Sequence, residues 1–65
     1  MPVKYRITQP DCDSAIRGLG MLGMTPSELD KLAQEHEGRE MFASHVIVAA
    51  AKQIAAEKRK VGHDE

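Results

Sequence analysis

His36, Glu37, Glu40 and His45 are the side chains of this sequence best suited to holding a metal ion or moving a proton, and they fall in one short stretch. A helical metal site needs its imidazoles and carboxylates about one turn apart, as in H-E-x-x-H, so that they converge on one point. His36 and Glu40 have roughly that spacing. Gly38 stands between them, however, and is expected to break the helix, leaving His45 to the next element. Cys12, the single cysteine, has no paired thiol to complete a ligand set. The stretch therefore reads as a solvated acidic corner, with no metal and no cofactor expected.

Nucleophilic chemistry would fall to Cys12 or Ser44. Either needs a base, an orienting third group and a pocket that excludes water. Asp11 and Asp13 flank Cys12 and disfavour its thiolate by like charge, the opposite of an activating environment. The chain is expected not to be an enzyme. Gly18-Leu19-Gly20-Met21-Leu22-Gly23 spells G-x-G-x-x-G, but a dinucleotide site needs a strand running into that turn and a second parallel strand after it. Neither is present, so the glycines read as a plain turn.

The elements that would position these residues announce themselves unevenly. Met24-Thr25-Pro26-Ser27-Glu28-Leu29 is a dense helix start. Thr25 is placed to accept from the Glu28 N–H while the Glu28 carboxylate reaches back to the Thr25 N–H. Pro26 falls at the first helical position, and Met24 and Leu29 form a hydrophobic staple. This helix should span 26–37, with Leu29, Leu32, Ala33 and His36 on one face and Gly38 ending it in the left-handed region. Before it, Asp11 or Asp13 is expected to cap a weak helix over 12–22, limited by Gly18, Gly20 and Gly23.

Val3, Tyr5 and Ile7 alternate with Lys4, Arg6 and Thr8, which predicts a short strand within an extended arm over 1–10, ended by Pro10. A lone strand needs a partner edge, so it would pair with a second subunit. The longest helix should run 39–60. Phe42, Ala43, Val46, Ile47, Ala50, Ile54 and Val61 share one broad face, while Met41, Val48 and Ala55 recur on the other among His45, Lys52 and Arg59. A helix apolar around so much of its circumference is buried from two sides. One side should meet the capped helix and the other a partner. Lys58-Arg59-Lys60 offsets the helix dipole at its end, and 62–65 reads as a frayed tail.

At 65 residues the chain is one domain, and so small a core usually needs a supplement. One cysteine rules out a disulfide framework and fits a reducing compartment. The expected fold is mainly all-α: arm, weak helix, capped helix and long helix, intertwined as a homodimer. A net charge of −1 gives no general field for nucleic acid or anionic membrane. The apolar run from Met41 to Ala56 is too short and too polar for a bilayer span, and Met1 is not followed by a basic and then apolar leader, so cytoplasm is expected by elimination.

The expected function is regulation or inhibition by binding another protein, a size of product common in viral and mobile-element genomes. The binding residues would be Met41, His45, Val48 and Lys52, with Ala55, or the exposed side of the arm at Tyr5 and Arg6. The alternative is a dimeric DNA-binding regulator of ribbon-helix-helix or helix-turn-helix type. Lys4, Arg6 and Thr8 would then project into the major groove, although about sixteen residues separate the strand from the Thr25 helix start, where a ribbon-helix-helix allows only a few.

Overall fold

A computed structural model describes residues 6–62 of the chain. Among them lie three α-helices, α1 (Gln9–Leu19), α2 (Pro26–His36) and α3 (Phe42–Lys60), with a 3-10 turn at Met21–Gly23 between the first two. The chain is mainly helical, as its periodicity predicts.

Helix α2 starts as its residues dictate. The Thr25 hydroxyl accepts from the Glu28 N–H at 3.2 Å, and the Glu28 carboxylate accepts from the Thr25 N–H at 2.9 Å. Pro26 opens the first turn and is itself buried. Leu29 is wholly buried and Ala33 nearly so, with Leu32 and His36 half-buried on the same side. The helix ends at His36 rather than at 37, with Glu37 as its cap residue and Gly38 at φ 87° in the left-handed region.

Helix α1 departs from the expected boundaries. It begins at Gln9, not at 12, and the capping residue is Thr8 rather than Asp11 or Asp13. The Asp11 carboxylate instead reaches back to accept from both the N–H and the hydroxyl of Thr8, at 3.1 and 2.9 Å. Pro10 lies in the first helical turn, where a missing N–H costs no hydrogen bond, so it starts the helix instead of ending a strand. The arm therefore loses residues 9 and 10 to α1. Arg6, Ile7 and Thr8 take no regular structure, and Val3, Lys4 and Tyr5, on which the strand expectation mostly rests, lie outside the described residues. Gly18 is tolerated inside the helix, and Gly20 at φ 64° is the glycine that stops it. Of the expected tail only Gly62 is described, in a turn at φ 79°.

Helix α3 starts at Phe42 instead of 39, leaving Glu37 to Met41 as the connection from α2. Its central strip carries the fold. Ala50 and Ala51 are fully buried, and Ala55 and Ile54 almost so. These residues form one core with Cys12 and Ile16 of α1, Met21 of the 3-10 turn and Leu29 and Ala33 of α2. Both short helices thus pack on α3 within one chain. α1 lies against the broad face that carries Phe42, Ala43, Val46, Ile47 and Ile54, while α2 meets the side that carries Ser44 and Arg59.

Polar contacts lock this arrangement at its edges. Lys58, near the end of α3, donates its ammonium hydrogens to the backbone carbonyls of Leu22 at 2.8 Å and Met24 at 2.6 Å. Arg59 donates to the Asp30 carboxylate of α2 at 2.6 Å, an ion pair that is about half exposed on both sides. Gln53 Nε2 donates to Gln9 Oε1 across α1 and α3 at 3.3 Å. The basic end of α3 therefore does more than offset a dipole, because Lys58 spans a turn whose carbonyls would otherwise face only water.

Three outcomes follow from these contacts. Thr25→Ala removes the cap of α2 and costs about 1 kcal/mol, which lowers the melting midpoint of so small a domain by roughly 4–8 °C in calorimetry. Lys58→Met keeps the aliphatic stem but strips the ammonium from two carbonyls, and lowers stability in urea denaturation by about 1–2 kcal/mol. Hydrogen bonding from Arg59 holds the Asp30 carboxyl below its ordinary range. A depressed carboxyl contributes stability above its unfolded pKa and loses it as pH falls through the folded value. The small stability gap between the wild type and Asp30→Asn is therefore present at neutral pH, and closes as urea midpoints are followed to below about pH 4.

Candidate interaction surface

Of the sequence-predicted chemical groups, the structure brings His36 and Ser44 together. Among the described residues, no group of three or more His, Cys, Asp or Glu side chains is placed to hold a metal ion. The His36 ring instead lies with Nδ1 3.4 Å from the Ser44 hydroxyl, bridging the end of α2 to the start of α3. Ser44 has a histidine neighbour, as a nucleophile would, but only 4% of it is exposed, so a substrate cannot reach it. Cys12 is also buried. Burial, then the charges of Asp11 and Asp13, push its thiol pKa up and disfavour the thiolate.

The fold does form a pair of unlike notches on either flank of α1, which lies across α3. One flank of α1, with Gln9, Asp13, Ile16 and Arg17, faces Gln53, Ile54 and Glu57 in the later turns of α3. That side is rich in polar groups and is bridged by the Gln9–Gln53 hydrogen bond. The other flank, with Asp11, Ser14, Ala15, Gly18 and Leu19, faces Phe42, Ala43, Val46 and Ile47 in the first turns of α3. It is almost wholly apolar and open to solvent.

Local sequence explains the opening. Asp11, Ser14, Ala15, Gly18 and Leu19 recur at helical spacing, as do Phe42, Ala43, Val46 and Ile47, so each wall is one continuous helix stripe. Small side chains on both walls leave the floor wide, while Leu19 at 48% exposure and Phe42 at 40% stand at its rim. The notch encloses about 450 Å³. Its size falls in the range of small-molecule sites, but it lacks the convergent polar groups that orient such ligands. Asp11, its one charged side chain, is already engaged by Thr8.

Nothing among the described residues requires a glycine at position 18. A glycine inside a helix costs about 1 kcal/mol relative to alanine, and a Cβ built on Gly18 would meet no atom within 4 Å. The space that this residue keeps free is the notch.

The residues expected from sequence to bind a partner differ in their exposure. Met41 is 65% exposed at the position just before α3, Lys52 is exposed, and His45 is half-buried. Val48 packs against the core and Ala55 is only 2% exposed, so this part of the stripe is occupied inside the chain. Arg6 is exposed and Tyr5 lies outside the described residues. The apolar opening lies on the other broad face of α3, at Phe42, Ala43, Val46 and Ile47, and its second wall, Ala15, Gly18 and Leu19, has no counterpart in the sequence-derived set. Gly18 within an otherwise helical run is the signal that points to it, and grouping that glycine with Gly20 and Gly23 as a turn hides it.

No helix of the described residues is long and apolar enough to cross a membrane. The chain matches no family model, no curated protein and no solved structure.

Proposed function

We propose that this protein is a small non-enzymatic regulator or inhibitor that acts by binding another protein, and that the apolar notch between α1 and the first turns of α3 is its main contact surface. The observation that carries this reading is the contrast between the two flanks of α1. The polar flank is bridged by the protein's own side chains, whereas the apolar flank is left open. Exposed apolar concavities walled by two helix stripes suit an incoming helix, whose ridge of side chains at i, i+3, i+4 and i+7 seats between them. Met41, just before α3, and His45, Val48 and Lys52 along its opposite side, together with Arg6, are a separate candidate contact surface in this reading. A homodimer formed through the same kind of helix packing is part of this reading, since the largest fully buried side chains are only Met21 and Leu29 and a core that small gains from a second copy. On this reading the protein is a cytoplasmic regulator of viral or mobile-element type. The DNA-binding alternative gains no support, because Lys4 of the expected ribbon lies outside the described residues and Arg6 and Thr8 form no strand.

Gly18 makes the test clean, because the chain has room for a side chain there. Gly18→Leu fills the notch from its floor. The expected result is an unchanged or higher melting temperature, together with loss of self-association in sedimentation equilibrium and of target capture. Gly18→Ala, which barely fills the space, raises stability by about 0.4–1 kcal/mol and leaves association nearly intact. A stable Gly18→Leu variant that associates like the wild type would remove the notch from this reading.

A further inference from the structure

A second surface, separate from the notch, carries an inference of its own. Leu22 and Val61, at 68% and 67%, are the most exposed large apolar side chains among the described residues. They come from distant parts of the chain, yet both line one shallow depression with Ile54, Glu57, Lys58 and Lys60.

The exposure of Leu22 is built into the fold. Met21, its neighbour in the 3-10 turn, is wholly buried, so turning Leu22 inward would withdraw Met21 from the core. Lys58 fixes the turn further by donating to the carbonyls of Leu22 and Met24. The same lysine brings positive charge to the depression, joined by Lys60 on its edge and by Arg17, which borders Leu22 on the side of α1. Among the described residues Glu57 is the one carboxylate lining it, and Asp13 stands beside Arg17 at its α1 border. The patch is thus cationic on a chain whose net charge is −1. Exposed apolar side chains ringed by cations complement an apolar anchor flanked by carboxylates.

We propose that the Leu22–Val61 patch docks an acidic protein segment carrying an apolar anchor residue. Polybasic membrane contacts use clusters of about four to eight Lys or Arg, more than border this depression, and its concave outline fits an inserted side chain better than a flat lipid surface. Duplex DNA likewise calls for a row of phosphate-contacting cations, which three cations and two carboxylates around an apolar hollow do not supply.

Fluorescence anisotropy on the full chain tests this with two labelled short peptides, both with a single central leucine, one flanked by glutamates and its twin flanked by lysines. The glutamate peptide is expected to bind at least about tenfold more tightly than its twin, and to weaken as salt rises. Leu22→Ser and Lys60→Glu each lower that affinity by about tenfold without moving the melting temperature much, since both side chains are exposed. Gly18→Leu leaves it unchanged, which separates this surface from the notch. Equal affinity for the two peptides, no binding of either, or indifference to both patch variants overturns the proposal. So does binding to phosphatidylserine vesicles or duplex DNA that the patch variants abolish while the glutamate peptide stays unbound.

Discussion

Close approach of two short helices to a strip of alanines is the constraint on which the rest of the molecule depends. Ala50, Ala51 and Ala55 have no side chain beyond a methyl group, so α1 and α2 can bring Ile16, Leu29 and Ala33 down onto the backbone of α3. Larger residues on the strip would lift both helices away and open voids, which cost stability in proportion to their volume. Met21 and Leu29 reach complete burial only because the helices approach so closely. With one tyrosine, one phenylalanine and no tryptophan, the chain has no large aromatic side chains to bridge a wider gap.

The same constraint produces the apolar notch. The alanines lie in the middle of α3, and α1 crosses there with one flank over each half of the longer helix. Ala15, Gly18 and Ala43 are too small to fill the angle between α1 and the first turns of α3. On the far flank, long polar side chains such as Gln9, Arg17 and Gln53 cover the corresponding angle. A helix crossing over small residues leaves wedges on both sides, and the side chains at each decide how wide and how polar it is.

Polar contacts then determine which loops hold their shape. The 3-10 turn at Met21–Gly23 is short and rich in glycine, and would be mobile on its own. Lys58 ties it to α3 through two carbonyls, and the Arg59–Asp30 pair holds the neighbouring part of α2. Being half exposed, the ion pair contributes little by itself. Lys58 matters more because its partners are backbone atoms of a turn, and the position of Leu22 depends on that turn.

Local signals are legible where a few adjacent residues decide the outcome. The Thr25 cap, the exposed carboxylate of Glu28 reaching back, the left-handed Gly38 and the buried face of α2 can all be read from residues within one or two turns of each other. Thr8 escapes notice as a cap because Asp11 and Asp13 are stronger capping residues by type, and only the structure shows Asp11 serving as the reciprocal partner inside the first turn. The apolar circumference of α3 is legible as well, but not its occupant. Periodicity counts how many sides of a helix are apolar and carries no information on whether the covering surface comes from the same chain. The direction in which α1 crosses α3, the notch left beside Gly18 and the reach of Lys58 across to Leu22 join residues far apart in sequence, and such contacts are settled only when the helices have packed.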